Sequence, residues 1–440
     1  MSINNKKMKL YLISYGEYMK RRINMSEHSF TVLLEDVSQQ DLIMVGGKAA
    51  KLGEMINAGL PVPEGFVLVS DSYDKFISHN KIDIKIKEIL VNLDSSDFDN
   101  IKRVSSKIKN LFEQSEIPED LMGEINQSFK QIGSSEVVVR SSATLEDSPL
   151  TSFAGQYDSF LNVKGKKQIH KYIKLCWASL WNARALSYRL KQNIDNTKLN
   201  HSVIVQKLIK AEKSGVLFTA NPTNNRRDHM LLNASWGLGE AIVSGEVIPD
   251  QWIINKKNNK IVEETIAVKD KMTILKDNKT ELIDVTEKKQ RKASLEKSEI
   301  FKLLELGKNT ENYFEIPQDI EWSFYNNKFY LIQSRPITTL FPKLEAKDNS
   351  NILRIYTNFL LIDKVMPEPL TPIGEDIWKK FLKSILPPSW IKSSTGRIFV
   401  DTTEIFRLER WWDMLKNNPS AMDPLTIEVL LEVLERDKKE

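Results

Sequence analysis

Residues Val137–Val163 read VVVRSSATLEDSPLTSFAGQYDSFLNV, and the fold turns on this stretch. Three β-branched residues run straight into Arg140, the pattern of a buried strand whose far end presents a guanidinium. Ser141, Ser142 and Thr144 follow as short hydrogen-bonding side chains. Gly155 then allows a close backbone approach before a second strand. Such a surface suits a polyphosphate, provided that the rest of the chain supplies the other parts of a nucleotide site.

The bulk numbers narrow the classes. A chain of 440 residues exceeds one ordinary domain. Its 63 Lys and Arg against 59 Asp and Glu leave a net charge of +4, which gives no reason to expect nucleic acid or an anionic membrane as partner. A lone cysteine, Cys176, excludes an internal disulfide and fits a reducing compartment. It lies in a helix-period stretch beside Trp177 and reads as core. Residues 1–30 form an N-terminal extension with basic ends, but its short apolar centre is interrupted by Gly16 and Glu17, unlike a signal peptide. The start is either Met1 or Met25. No run approaches the roughly 18 apolar residues of a membrane span, so a cytoplasmic protein is expected.

Upstream of the opening stretch, residues 30–70 read as strand, helix, strand. The segment Val45–Gly59, VGGKAAKLGEMINAG, opens on two glycines and closes on Gly59 in a helix-stop position. Leu52, Met55 and Ile56 form its apolar face. Lys48 falls in its first turn, where the helix dipole disfavours a cation unless an anion binds there. From this segment alone a solvated surface lysine is the better reading, and the missing upstream glycine and Ser/Thr exclude a Walker A loop. Residues 71–131 show helical spacing with solvated outer faces. Downstream, Lys166–Gln192 reads as one long amphipathic helix with Trp177 and Trp181 in its buried face.

His201–Leu208 reads as a buried strand, with Gly215–Ala220 as its neighbour. Gln206 is an amide in that apolar strand, either hydrogen-bonded in the core or reading a base or ribose edge. Ser235–Glu246 places two glycines before a short helix, a phosphate-approach turn or simply a tight corner. Residues 252–290 read as short strands with lysine-rich turns, a peripheral or lid-like sheet. Asp319–Pro336, DIEWSFYNNKFYLIQSRP, reads as a hairpin turning at Asn326–Asn327. Glu321, Gln333 and Arg335 then converge at one end of a sheet. Glu321 and the Gln333 oxygen could serve Mg²⁺, which needs only one or two protein oxygens beside phosphates. The bland alternative is a surface Glu–Arg pair.

Taken in order, GGKAAKLGEM, the opening stretch, GVLFTANP, ASWGLGEAIVSGEVIPDQ and DIEWSFYNNKFYLIQSRPITTL resemble the nucleotide-binding domain of the pyruvate phosphate dikinase and phosphoenolpyruvate synthase family. The ending QSRPITTLFP looks more like its rifampicin phosphotransferase branch. The resemblance implies an α+β, two-lobed ATP-grasp domain over residues 31–340, a linker over 341–352, and over 353–440 the incomplete, mainly helical start of a substrate domain. It also implies ATP and Mg²⁺ as ligands. Carried over by residue, Lys48 and Arg140 would hold phosphates, and Gly155 and Ser159 would lie under the nucleotide. The family more often has threonine at the latter position. Gln206 would contact the nucleoside, Glu321 and Gln333 the metal, and Arg335 the transferring phosphoryl group; Arg140 and Arg335 are the catalytic candidates.

Family members pass the β-phosphoryl of ATP to a histidine in a Gly/Thr/Ser-rich loop of a mobile domain, leaving AMP and phosphate. The histidines here are His28, His79, His170, His201 and His229, and none sits in such a loop. The expectation is a phosphotransferase component that hands its phosphoryl group to a histidine-bearing phosphocarrier domain on another chain, for onward transfer to a pyruvate- or rifampicin-type small molecule. The competing readings are a non-catalytic ATP-binding remnant of a split gene and an ATP-grasp carboxylate–amine ligase.

Overall fold

Two large sheets, a separate hairpin and a three-stranded sheet carry the strands. In the computed structural model, residues 29–91, 93, 97–143, 159–191, 201–276, 279–340, 356–358, 370, 372–394 and 397–402 are described. The chain divides into two units, Met1–Thr339 and Leu340–Glu440. In the first unit, β1 (Thr31–Leu33), β2 (Gly65–Leu68), β3 (Glu136–Ala143), β4 (Ser159–Lys164) and β5 (His201–Lys207) make a five-stranded antiparallel sheet in the order β1-β2-β5-β3-β4. Along β3, Val137 and Val139 are fully buried against helices, whereas Val138 and Arg140 take the other face.

The helices on that first face are Ser70–His79, Ile82–Leu90, Phe98–Gln114, Glu119–Gln131, Gly165–Ser179 and Ala183–Lys191. Their apolar stripes meet in one core centred on Phe76, Phe112, Trp177 and Trp181. The helical spacing in residues 71–131 and the core placement of Cys176 and the tryptophan pair are thus as expected. The single helix expected over 166–192 is instead two. At the break, the Leu180, Trp181 and Asn182 amides bond three residues back. Ser105 Oγ takes the Trp181 carbonyl at 2.6 Å, and Lys109 Nζ takes Asn182 Oδ1 at 3.1 Å. Partners from a neighbouring helix thus hold a corner that apolar periodicity cannot register.

Strands β6 (Lys213–Phe218), β7 (His229–Trp236), β8 (Asp250–Asn255), β9 (Ile261–Thr265), β12 (Gln318–Tyr325) and β13 (Lys328–Pro336) form the second sheet, in the order β13-β12-β6-β7-β8-β9. β10 (Lys271–Lys276) and β11 (Lys279–Asp284) make a separate hairpin. Leu217, Leu232, Ile320 and Trp322 pack with Ile300, Leu303 and Leu304 of helix Lys297–Phe314. A side chain at Gly307 on that helix would come within 2.7 Å of Leu217.

β6 is therefore not the neighbour of β5, as the sequence suggested. Both edges of β5 are already taken by β2 and β3, and the chain crosses between sheets over residues 208–212. The crossing is hydrogen-bonded at both ends: Leu208 N–H donates to the Glu136 carbonyl and Glu212 N–H to that of Phe324. The second unit shows β14 (Tyr356–Asn358), β15 (Ile391–Ser394) and β16 (Arg397–Asp401) in the order β14-β16-β15, with helix Pro372–Ile385. Among the described residues no helix is long and apolar enough to cross a membrane.

His201 opens β5 wholly buried, its Nε2 3.0 Å from the Cys176 carbonyl. Burial, reinforced by the charges of Arg189 and Lys48, depresses its pKa to about 4 from the usual 6.5. The unfolded chain therefore binds the extra proton between those values. Stability contributed by the neutral ring is present above pH 6.5 and drains away as pH falls toward 4, by up to about 1.4 kcal/mol per pH unit. We expect His201→Phe to flatten the acid limb of a stability–pH curve over that window. An unchanged slope would assign the acid sensitivity elsewhere.

Candidate functional site

Arg140 leaves β3 on the face that carries helix Leu42–Asn57, opposite the main helical layer, and reaches the second sheet. Its Nη2 donates to Gln333 Oε1 at 2.7 Å and its Nη1 to the Ile332 carbonyl at 3.3 Å. The acceptor is presented by an irregularity in the β12–β13 hairpin, whose register runs Glu321↔Gln333 and then Trp322↔Leu331. One extra residue, Ile332, bulges out there and turns toward the arginine, the usual way a bulge re-aims local groups. The hairpin turns on Asn326 and Asn327 with φ of 48° and 58°, as the sequence predicts.

A cavity of about 300 Å³ is lined from both sheets: by Val138, Arg140, Ser159, Leu161 and Gln206 from the first, and by Gly215, Glu321, Trp322, Ser323 and Ile332 from the second. The crossing residues Lys207–Ile209 and the corner Leu238–Glu240 complete it. Ser159 faces Arg140 across the β3–β4 pairing. Gln206 is 2% exposed and donates from Nε2 to the Pro63 carbonyl at 2.8 Å. It thus satisfies the structural alternative while still bordering the cavity. The corner needs Gly237, whose φ is +80° and whose Cβ would sit 2.3 Å from the Thr273 carbonyl oxygen.

Lys48 occupies a different wall. Helix Leu42–Asn57 is interrupted at Gly46 (φ 75°, ψ 168°), so Lys48 lies in the first turn of a fresh helical segment. Val45, Ala49 and Leu52 anchor that helix in the first lobe's inner core, while Met55 enters the second lobe's core. Lys48 is half-buried, and with Lys51, Arg140 and Gln333 it lines a small space of about 10 Å³. Lys51, one turn further on, places its Nζ 4.9 Å from the centre of the Phe314 ring.

Glu321 stands opposite Gln333 in register, and Asp319 opposite Arg335. Arg335 Nε donates to Asp319 Oδ2 at 2.9 Å. Arg335 lines neither of these two cavities. Gly155 and Thr144 lie outside the described residues. Ser141 and Ser142 are fully buried in protein, and Ser142 Oγ bonds to Val45 and Ala49, not to the cleft. Alternation put the first behind the sheet and the second under the helix start.

Several lining residues escaped the sequence reading, and one signal could have found them. Val138, Leu161, Leu208 and Ser323 each stand two residues from a named site residue on a strand or its direct continuation, and all border the cavity. Asp319 likewise precedes Glu321 by two. Among the described residues no cluster of three or more His, Cys, Asp or Glu side chains is arranged to hold a metal. A carboxylate with one amide oxygen opposite it suits a hard cation that keeps most of its water and shares phosphate oxygens.

Residues 42–354 match the family model of the pyruvate phosphate dikinase AMP/ATP-binding domain. The "Probable phosphoenolpyruvate synthase" of Methanocaldococcus jannaschii is 44% identical over 319 residues, 71% of this chain and 27% of that protein. Rifampicin phosphotransferase of Bacillus cereus is 36% identical over 413 residues, 93% of this chain and 46% of that protein. Phosphoenolpyruvate synthase of Pyrococcus furiosus is 37% identical over 372 residues, 74% of this chain and 46% of that protein. The chain thus spans less than half the length of these relatives. With its two lobes, its lined cleft and a match over most of its length, the chain belongs to the pyruvate phosphate dikinase AMP/ATP-binding domain family, and its fold is ATP-grasp-like.

Proposed function

We propose that the cleft of the first unit binds ATP with Mg²⁺ and starts a phosphoryl relay. The observation that carries this is the cavity of about 300 Å³ walled by Arg140, Ser159 and Gln206 on one side and Glu321 on the other. Lys48 and Arg140 would neutralise phosphates at the helix start, with Gly155 and Ser159 beneath them. Gln206 would border the nucleoside. Glu321, with the Gln333 oxygen, would hold Mg²⁺, which supplies further charge neutralisation when bound. The Gln333 oxygen now accepts from Arg140, so on loading the amide and the guanidinium would part. Arg335, steadied by Asp319, would meet the transferring phosphoryl group. This is positioning and charge compensation, the work phosphoryl transfer asks of a protein.

In the full reaction ATP, water and a histidine give AMP, phosphate and a phosphohistidine that keeps the β-phosphoryl. The histidine would come from a phosphocarrier domain outside these 440 residues. The final acceptor is of the rifampicin type rather than the pyruvate type; the supporting fact is that similarity reaches 93% of this chain for a rifampicin phosphotransferase and 71–74% for the synthases. The test is incubation with ATP and Mg²⁺, with and without a supplied histidine domain. AMP and phosphohistidine appearing only with that domain support the reading. ADP would instead indicate ligase-type chemistry. We further expect Glu321→Ala to raise the Mg²⁺ needed for half-maximal ATP binding by tenfold or more; an unchanged metal titration would remove Glu321 from the metal site.

A further inference from the structure

We propose that Ser142 is a positioning residue for the anion end of the site, acting as a helix N-cap supplied from another part of the chain. Helix Leu42–Asn57 restarts after Gly46, which stands where a new segment would carry its capping side chain but has none. An N-cap oxygen ordinarily accepts from the second or third amide of the segment. Here the Ala49 amide donates to Ser142 Oγ at 3.1 Å, and that hydroxyl in turn donates to the Val45 carbonyl at 2.7 Å. One wholly buried hydroxyl thus splints both sides of the break.

The fit is tight in both directions. A Cβ on Gly46 would lie 2.1 Å from the Ser142 carbonyl oxygen and 2.6 Å from its Oγ. Ser202 Oγ donates to that same carbonyl from β5. Ser142 stands two residues beyond Arg140 on β3 and shares its face. Lys48, between the break and the capped amide, borders the same small space as Arg140. The hydroxyl therefore sets the placement of one phosphate-side cation relative to the other, without touching the ligand. This role rests on the ATP reading of the cleft.

The test uses the 440-residue chain with hydrogen exchange at the Ala49 amide and calorimetric titration of ATP with Mg²⁺. We expect Ser142→Ala to speed Ala49 exchange at least tenfold and weaken binding about tenfold. Ser142→Thr, which keeps the hydroxyl, should stay near wild type in both. In a Lys48→Ala background, Ser142→Ala should add less than twofold, because the residue to be positioned is gone. Val139→Ala, on the opposite face of β3, should lower the melting temperature yet leave affinity unchanged. Wild-type affinity or unchanged Ala49 exchange in Ser142→Ala overturns the proposal, as does a full additive loss in the Lys48→Ala background. If the alanine variant does not fold, Ser142→Cys, of similar size but weakly hydrogen-bonding, takes its place under the same criteria. Faster Ala49 exchange together with no ATP binding by the wild type would overturn the ATP reading and leave only the cap.

Discussion

Replacing Arg140 with alanine is expected to weaken ATP–Mg²⁺ binding roughly a hundredfold, about 3 kcal/mol, while leaving the melting temperature close to wild type. Its guanidinium bonds to Gln333 and to the Ile332 carbonyl, so it is the group by which the first sheet reaches the second at the cavity wall. Both acceptors border a cavity, where water can replace the lost donors. The stability cost should therefore be small. The binding cost should be large, because a forked cation cannot be replaced by water opposite a phosphate. Arg140→Lys keeps the charge without the fork and should fall between. Calorimetric titration beside a thermal melt checks this; wild-type affinity in both variants would refute the assignment of Arg140 to the phosphates.

The largest effect on stability is expected from Asp250→Ala. Asp250 and Lys269 are both fully buried and form an ion pair at 2.5 Å. Asp250 Oδ1 also accepts from the Ala267 amide at 2.9 Å, and Oδ2 accepts from the Ser294 amide and hydroxyl, each at 2.7 Å. Removing the carboxylate leaves a buried ammonium and orphans these donors, which should cost about 3–5 kcal/mol. At the usual size scaling, that is a fall of roughly 10 °C. The double variant Asp250→Leu/Lys269→Met removes both charges and should recover much of the loss. If single and double variants melt alike, the damage comes from lost packing and not from the uncompensated charge.

Short-range pattern carried much of this molecule. Val137–Val139 running into Arg140 needed only alternation to become a strand with a core face and a cleft face. Asn326–Asn327 needed only the left-handed preference of a tight hairpin turn. Gly59, with φ of +72°, ends its helix as expected. Where reading failed, long-range partners decided. The corner at 180–182 is held by Ser105 and Lys109 from another helix. The separation of β5 from β6 follows from which edges were already filled, a competition among strands far apart in the chain.

The site divides along the same line. That the chain carries lysine, arginines, an amide and a carboxylate in an order resembling a nucleotide domain was legible from sequence alone, because each motif is local and the order is linear. That Gln206 also answers to the Pro63 carbonyl, that Arg335 is held by Asp319, and that Ile332 bulges to meet Arg140 were not. Those facts depend on register and on strand order, which no single segment encodes. The stretch 137–163 is a case of both. Its sequence determined a strand carrying a guanidinium on one face, but not where that strand ends. The end was expected at Arg140 and lies at Ala143, because β5 goes on pairing with Ser141–Ala143. Only the tertiary structure turned Ser142 from a phosphate ligand candidate into a buried splint, because the helix broken at Gly46 packs against it.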